Sequence, residues 1–576
     1  MQRIHNYYHI YGIYLLMNTY RYLIFAIITA ITTQLSGQIV INEYSASNLE
    51  NYKDSFNKTE DWIEIYNSED SDRDISGWYI SDKDDNVEKW QFPTGTIIEP
   101  NGYLLVLCSG KDGIYNGEYH SNFKLTQTSG DDSIVLSDEN GTVVDFQPLS
   151  LTLTDHSNCR HTDGSDEWMI CTLPTVGLSN NNSAQAISYT ATPSMSLQAG
   201  YYTGSQTIII TNNEPNSILR YTTDGSNPLS DSPIYDTPIT INNTTVVKAL
   251  SFSNDVDILP GKVEFNTYLI DENYSLPVFS VAADRVTNLA NGAGVILPIG
   301  SIEYFKDNEF VTSSFGELNR HGQDSWALDH RSIDWISRDE MGYSKAVDAP
   351  IISSSNRDEY QRFMFRNSGD DNYPAIDDFE HEGSTHVRDE YVQTLAQEGG
   401  MELDLRKVER VVLFLNGQYW GVYGMREKVV DHDYTKEYYG QGKEDLQFLS
   451  TWGTTEIEYG GVEALIAWIQ LRDFILDNDM SDPSNYKIIE DSLNLISLID
   501  YFTMNQASVA SDWLNYNTGW WRGLDPEGTH KKWAYMLWDL DATFDYYINY
   551  TGVPNTDPDA SLCDIYQISD AIDQFF

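Results

Sequence analysis

Short apolar runs bounded by turn residues recur along residues 38–180: IVINEY, DWIEIYN, ISGWYIS, YLLVLCS, DSIVLSD and TVVDFQP. Runs of this length, rich in Val, Ile, Tyr and Trp and punctuated by Gly, Asn, Asp and Ser, predict an all-β sandwich. Residues 188–270 repeat the pattern with YYTGSQTIIITNN, SILRYTTDGSNP and TTVVKALSFS, predicting a second sandwich. From residue 276 to residue 576 helix-like runs such as SLNLISLIDYFTMNQA join the strand-like ones, and the prediction becomes α+β. A chain of 576 residues has room for these domains and for an N-terminal extension at 1–37.

Near the end of the chain DWLNYN (Asp512 to Asn517) precedes two aromatic runs, TGWWR and KWAYMLW, joined by GLDPEGTHK, and then WDLD (Trp538 to Asp541). The turn formers between the runs predict a hairpin that folds Asp539 back beside Asn517. Asp512 and Asn517 keep the five-residue step by which a kinase catalytic loop separates its base from a metal-binding Asn, and Asp539 supplies a later carboxylate. That order suggests phosphoryl transfer. Asp and Asn are also ordinary loop residues that bond their own backbone. With 87 acidic residues the spacing alone discriminates little, so its context carries the reading.

The region from Leu276 onward, about half the chain, resembles the CotH family of atypical kinases, named after a spore-coat protein. The resemblance rests on GELNRHGQDSWALDHRSIDWISRDEMGY (Gly316 to Tyr343), RFMFRNSGDDN, HVRDEYVQTLAQEGG and FLNGQYWGVYGMREKV, together with DWLNYN and WDLD. It implies a protein-kinase-like α+β domain that binds ATP and Mg²⁺ and phosphorylates Ser or Thr. Asp512 would be the catalytic base, Asp539 the Mg²⁺ ligand, and Asn517, or in second place Asn515, its companion. Where many members carry a phosphate-holding Lys, this chain reads DHRSIDW, with Arg331 the nearest cation and Lys345 further on. Arg331 either contacts phosphate or is a structural salt-bridge residue; Arg does not replace Lys at fixed geometry.

Arg366 either clamps phosphate or pairs with carboxylates, and Arg388 reads as structural. HVRDEYVQTLAQEGG reads as an amphipathic helix with His386, Val387, Glu390, Tyr391, Thr394 and Leu395 on one face, ending at Gly399 and Gly400. Glu390 or Glu398 would mimic a kinase helix Glu, with solvated surface the favoured role. Glu427 follows a hairpin turning at Asn416 and Gly417, and is a nucleotide-site candidate or a fold-stabilising ion pair.

INEYSASN, DWIEIYNS, ISGWYISD and DDSIVLSDENGTVVD resemble a lamin-tail domain, an immunoglobulin-like module, and YTTDGSNP (Tyr221 to Pro228) resembles the small sandwich appended to chitobiases. Tyr201 and Tyr202 of the latter are expected to pack between modules rather than to contact sugar.

Met17 to Gly37 has the basic, apolar and small-residue layout of a secretory signal peptide, with LIFAIITAI at its centre. No later stretch is apolar enough to anchor the chain in a membrane. Cys159 and Cys171 can close one disulfide in an exported protein, while Cys108 reads as buried core. A net charge of −52 opposes nucleic-acid binding. Acidic clusters such as SEDSDRD and DKDDN read as solvated loops without an EF-hand pattern. The chain stops at DAIDQFF, where the resemblance leads one to expect more helical sequence, so a fragment or a shortened lobe is expected. The expected function is an exported kinase, secreted or at the cell surface, acting on a protein of the surface or extracellular matrix. Its rival is an inactive surface adhesion or matrix protein whose sandwiches bind glycan or protein. A two-carboxylate glycosidase is a third reading.

Overall fold

All six strand-like runs of the first segment form strands. In the computed structural model, which describes residues 39–128, 132–294, 296–322, 326, 328–372, 383–452, 454–510 and 516–544, the chain divides into two compact units. The first runs to Gln185 apart from Thr126–Thr128, and the second starts at Ala186. The signal-like segment, Asp512 and Asn515 lie outside the described residues. Among the described residues no helix is long and apolar enough to cross a membrane.

In the first unit one sheet runs in the order Trp168–Cys171, Ser157–Arg160, Ile39–Ser45, Asp61–Asn67, Tyr103–Cys108, Glu118–His120 and Gly113–Tyr115. A second has the order Val143–Pro148, Asp132–Ser137, Tyr79–Lys83 and Trp90–Gln91. Ile41, Ile63 and Val106 of the first meet Ile80, Ile134 and Leu136 of the second in one buried core, which makes a sandwich. Cys159 and Cys171 form a disulfide with Cα atoms 5.9 Å apart, and Cys108 is a buried free thiol.

Two carboxylates lie side by side in this sandwich. Glu43 and Glu64 are register partners on neighbouring strands and both are fully buried. Glu43 accepts from Ser157 Oγ at 2.5 Å and Thr175 Oγ1 at 2.6 Å; Glu64 accepts from Gly177 N at 2.6 Å and Asn42 Nδ2 at 3.2 Å. Burial, with the neighbouring Glu43 charge, pushes Glu64 up to about 8. A raised carboxyl pKa means that the folded state holds the proton more tightly than the unfolded one. Stability is therefore highest below the ordinary carboxylate pKa and falls as pH rises toward 8. Glu64→Gln cannot ionise, and its amide oxygen still accepts from Gly177. Its unfolding free energy should fall less than the parent's between pH 5 and pH 9, the difference reaching about a few kcal/mol. Parallel stability profiles would count against an ionising Glu64.

The second unit begins with a small module built on the sheet Gly200–Tyr202, Glu264–Ile270, Thr245–Ser253 and Ser217–Thr222. Its DGS turn is closed by Asp224 Oδ1, which accepts from Ser226 N at 3.1 Å and Ser226 Oγ at 2.6 Å. Gly225, at φ +81°, abuts Asn416 so closely that an added Cβ would overlap it. Buried Lys248 donates to Asn227 Oδ1 at 2.9 Å and across to Ala282 O at 2.7 Å. Tyr201 packs edge-on against Phe305 of the barrel at 6.0 Å, between modules as expected, whereas Tyr202 packs at a tilt on Tyr268 of its own module at 5.9 Å.

Seven strands then close a barrel in the order Val278–Ala283, Ile299–Lys306, Glu309–His321, Ser332–Arg338, Arg362–Arg366, Gln418–Glu427 and Val408–Leu415, the last parallel to the first. Strand alternation sends Phe363, Phe365, Tyr423 and Met425 into the barrel core. The same alternation turns Arg362, Met364, Arg366, Gly424 and Arg426 to the outer face. The remainder is a four-stranded sheet, Thr455–Tyr459, Leu446–Trp452, Tyr516–Gly523 and Ala534–Met536, with helices Gly461–Asp477, Pro483–Ser492 and Leu495–Ala507. Asp482, with Pro483 behind it, and Asn494 cap the last two helices at their N-termini. Trp468, Trp520, Trp533 and Tyr535 form the core here, joined by Val392 and Ala396 of helix Arg388–Glu398. The chain is thus mostly β-sheet with an α+β C-terminal region.

Candidate functional site

The predicted hairpin exists. Gly519 lies opposite Met536 and Trp520 opposite Tyr535, so the strand that starts beside Asn517 pairs with the one that ends three residues before Asp539. Asn517 and Asp539 both adopt left-handed backbone, at φ +53° and +55°. Such geometry is tolerated best by Asn, Asp and Gly, which explains the residue types at these corners.

Asp539 meets Arg366 from the outer face of the barrel. One guanidinium nitrogen, Nη2, donates to Asp539 Oδ1 and, at 3.1 Å, to Asp541 Oδ2. Arg366 is buried, Asp541 is buried, and the Asp539 side chain keeps 27% exposure. Asp541 also accepts from Asp370 N at 2.6 Å. That approach is possible because Gly369, at φ +62°, has no Cβ to collide with Asp541 and Arg366. Burial raises the Asp541 pKa, Arg366 opposes this, and the nearby Asp389 charge adds to the rise.

A second set of ion pairs lies behind the first. Asp389, in the first turn of helix Arg388–Glu398, is buried against Arg426, and its Oδ1 accepts from Leu540 N at 2.9 Å. Burial alone would raise its pKa. Arg426, Arg366 and Arg406, with the Leu540 N–H, more than offset that and hold it well below the usual range. Glu390 pairs with Arg410 at 2.7 Å and Arg426 at 3.4 Å. Arg406 is buried over the Trp538 ring, 5.5 Å from its centroid, and burial pulls its pKa down to about 9, so it remains charged at neutral pH. On the same outer face Asp334 lies 3.0 Å from His321 Nδ1 and 2.8 Å from Lys428 Nζ. These two partners outweigh its burial and bring it down to about 2.

Several sequence expectations change in detail. Glu390 is in an ion-pair network rather than on a solvated surface. Helix Arg388–Glu398 buries Asp389, Val392, Gln393 and Ala396, whereas Val387, Tyr391 and Leu395 of the expected apolar face are exposed. The buried face turns Asp389 to Arg426 and Val392 and Ala396 to the core at once. Arg388 is structural as expected, pairing with Asp371.

Arg331 donates to the carbonyls of Trp326 at 2.8 Å, Asp329 at 3.2 Å and Ala290 at 3.3 Å, none of them a member of the Arg366 group. Glu427 points to the opposite face of its strand from Arg426. There it accepts from Tyr438 Oη at 2.8 Å and lies 3.6 Å from Arg357. Burial raises its pKa, with Tyr438, Arg357 and Lys407 in opposition. Lys345 makes a surface pair with Glu359 at 3.5 Å. The sequence reading missed Asp541, Asp389, Arg406 and Arg426. The second Asp of WDLD and the RD and RE pairs in HVRDEY and MREKV were the available signals.

Among the described residues no group of three or more His, Cys, Asp or Glu side chains is arranged to hold a metal ion. Mg²⁺ does not need one, since one or two carboxylates with substrate phosphates commonly suffice. Asp539 keeps a partly exposed carboxylate, an oxygen donor of the type that Mg²⁺ takes.

Comparison with known families places this geometry. Residues 355–564 match the CotH kinase protein family. The CotH match takes in three barrel strands, Arg366, Asp389, Glu427, Asp512, Asn517, Asp539 and Asp541, and the family implies ATP use. The block Gly316 to Tyr343, with Arg331, falls outside the matched residues. Upstream of the CotH region, residues 32–147 match the Lamin Tail Domain and residues 197–257 the Chitobiase/beta-hexosaminidase C-terminal domain, in that order. An endoglucanase from Clostridium saccharobutylicum is 38% identical over 68 residues, which is 11% of this chain and 15% of that protein. The chain therefore covers a small part of this relative's length.

Proposed function

We propose that this chain is an exported protein kinase that transfers the ATP γ-phosphoryl group to Ser or Thr of a secreted or surface protein. The observation carrying this reading is the meeting of Asp539 with Arg366 beside the Asn517 strand, within the residues that match the CotH kinase family. Asp512 takes the hydroxyl proton as the substrate oxygen attacks the γ-phosphorus and ADP departs. Arg366 and the cations behind it hold phosphate charge by position. Asp539 and Asn517 are the Mg²⁺ ligands; the ion, when bound, neutralises charge on the phosphates. Export is supported by the signal-like N-terminus and by the disulfide, which suits an oxidising compartment.

Calorimetry of ATP with the full chain, with and without Mg²⁺, tests the reading. Asp539→Ala should abolish Mg²⁺-dependent binding, whereas Asp512→Ala should bind ATP and fail to transfer phosphate. Equal activity in both variants and the parent would sink the assignment. A second reading, an inactive surface protein binding glycan or protein through its sandwiches, is favoured by one observation. Arg331, the cation nearest the family's Lys position, is occupied by backbone carbonyls. No ATP binding by a well-folded parent would select that reading.

A further inference from the structure

We propose that Arg366 is an exchangeable partner of Asp539. Without nucleotide its guanidinium neutralises Asp539; when phosphate arrives it takes the place of Asp539 on Arg366, which Asp541 keeps fixed, and the carboxylate is released to the divalent cation. The inference rests on Asp539 being the cation ligand of the proposed kinase site.

The two carboxylates that share Arg366 Nη2 are unequal. Asp541 is buried and fixed by the Asp370 N–H at 2.6 Å, in a niche left open by Gly369. Asp539 keeps 27% exposure and stands at a backbone corner with φ +55°. Of the two, Asp539 is the partner free to let go. Arg366 itself cannot follow it, because its strand is paired with Gln418–Glu427 and its side chain is anchored by Asp541.

Charge balance gives the exchange its direction. Among the described residues Arg366 serves both Asp539 and Asp541, while Arg406, Arg410 and Arg426 face Asp389 and Glu390 behind them. A bare divalent cation therefore meets a carboxylate that Arg366 already holds. A cation arriving with phosphates brings negative charge for Arg366 to accept in return. Metal binding without nucleotide is held weak, and the two ligands bind cooperatively.

Mn²⁺ binding to the full chain without nucleotide, followed by the EPR signal of the free ion, is the test. Arg366→Gln, which removes the competing charge, should tighten Mn²⁺ by about tenfold or more, as expected for loss of a charge-assisted bond. Arg366→Lys, a less disruptive change, retains charge for Asp541 on a shorter side chain that ends before the Nη2 position touching both carboxylates, and should shift Mn²⁺ affinity in the same direction. Unchanged Mn²⁺ affinity in both variants, or in the one that folds by circular dichroism, overturns the exchange. ATP calorimetry on the parent separates the two ideas. A parent that binds ATP while its Arg366 variants hold Mn²⁺ no better keeps the kinase reading and loses the exchange. A parent that binds no ATP overturns the kinase reading and with it the nucleotide half of the exchange; tighter Mn²⁺ in the variants would then support only the restraint of Asp539 by Arg366.

Discussion

Asp389→Ala is expected to cost the C-terminal region about 3–5 kcal/mol, as for other buried ion pairs broken from one side. Asp389 is the carboxylate on which Arg426 converges, with Arg366 and Arg406 adding positive potential. Its removal leaves buried guanidinium groups without their counter-charge and orphans the Leu540 N–H. Helix Arg388–Glu398 would then keep its Glu390 pairs to the barrel but lose the Asp389 contacts to Arg426 and to the Leu540 N–H. Urea unfolding of parent and variant, followed by tryptophan fluorescence, measures the loss, because Trp468, Trp520 and Trp533 report on the adjoining core. Asp389→Asn keeps an acceptor for Leu540 but no charge, and should fall between the two. A shift below about 1 kcal/mol for the Ala variant would mean that the arginines find other partners.

Gly369→Ala is expected to remove function more than stability. The added methyl would overlap Asp541 Oδ2 and Arg366 Nη2, and the residue would keep a left-handed φ of +62° that Ala adopts poorly. Either the loop moves away from Asp541, or Asp541 moves and Arg366 follows. Displacements near 1 Å at a positioned group commonly cost about a hundredfold in rate. Under the proposed function, phosphoryl transfer should fall by that order, with ATP affinity weakened as well. Transfer kinetics alongside a melting curve separate this outcome from general unfolding. Unaltered transfer would place Arg366 and Asp541 outside the working site.

Local chemistry made several elements legible before any coordinates. Alternating Val, Ile and aromatic runs gave the sandwich strands, Asn416 and Gly417 gave a hairpin, and GLDPEGTHK gave the turn that returns Asp539 toward Asn517. Barrel closure was not legible, because it requires Val278–Ala283 to lie parallel to Val408–Leu415, a pairing across more of the chain than local periodicity can reach. The rotation of helix Arg388–Glu398 was misread for a related reason. Periodicity selects the stripe of Val387, Tyr391 and Leu395, whereas the fold buries Asp389 against Arg426, Gln393 against the Leu537 carbonyl and Arg406 N–H, and Val392 and Ala396 in the core. Arg366 was visible as a candidate, but Asp541 as its anchor was not, since an arginine's partner is decided by tertiary contact.

The close fit of Gly225 on Asn416, with Lys248 reaching the Ala282 carbonyl, ties the small sandwich to the barrel through features on both sides. Burial and desolvation pull the Lys248 pKa down to about 7, and Glu303, whose oxygens are held by Thr267 N and Oγ1, is buried in the same junction. Neither half of that junction would be comfortable in water-free surroundings with a foreign neighbour. Replacing the small sandwich alone would strip Glu303 of the Thr267 donors and the Ala282 carbonyl of its Lys248 bond, leaving the barrel with a buried acid and a buried acceptor to satisfy anew.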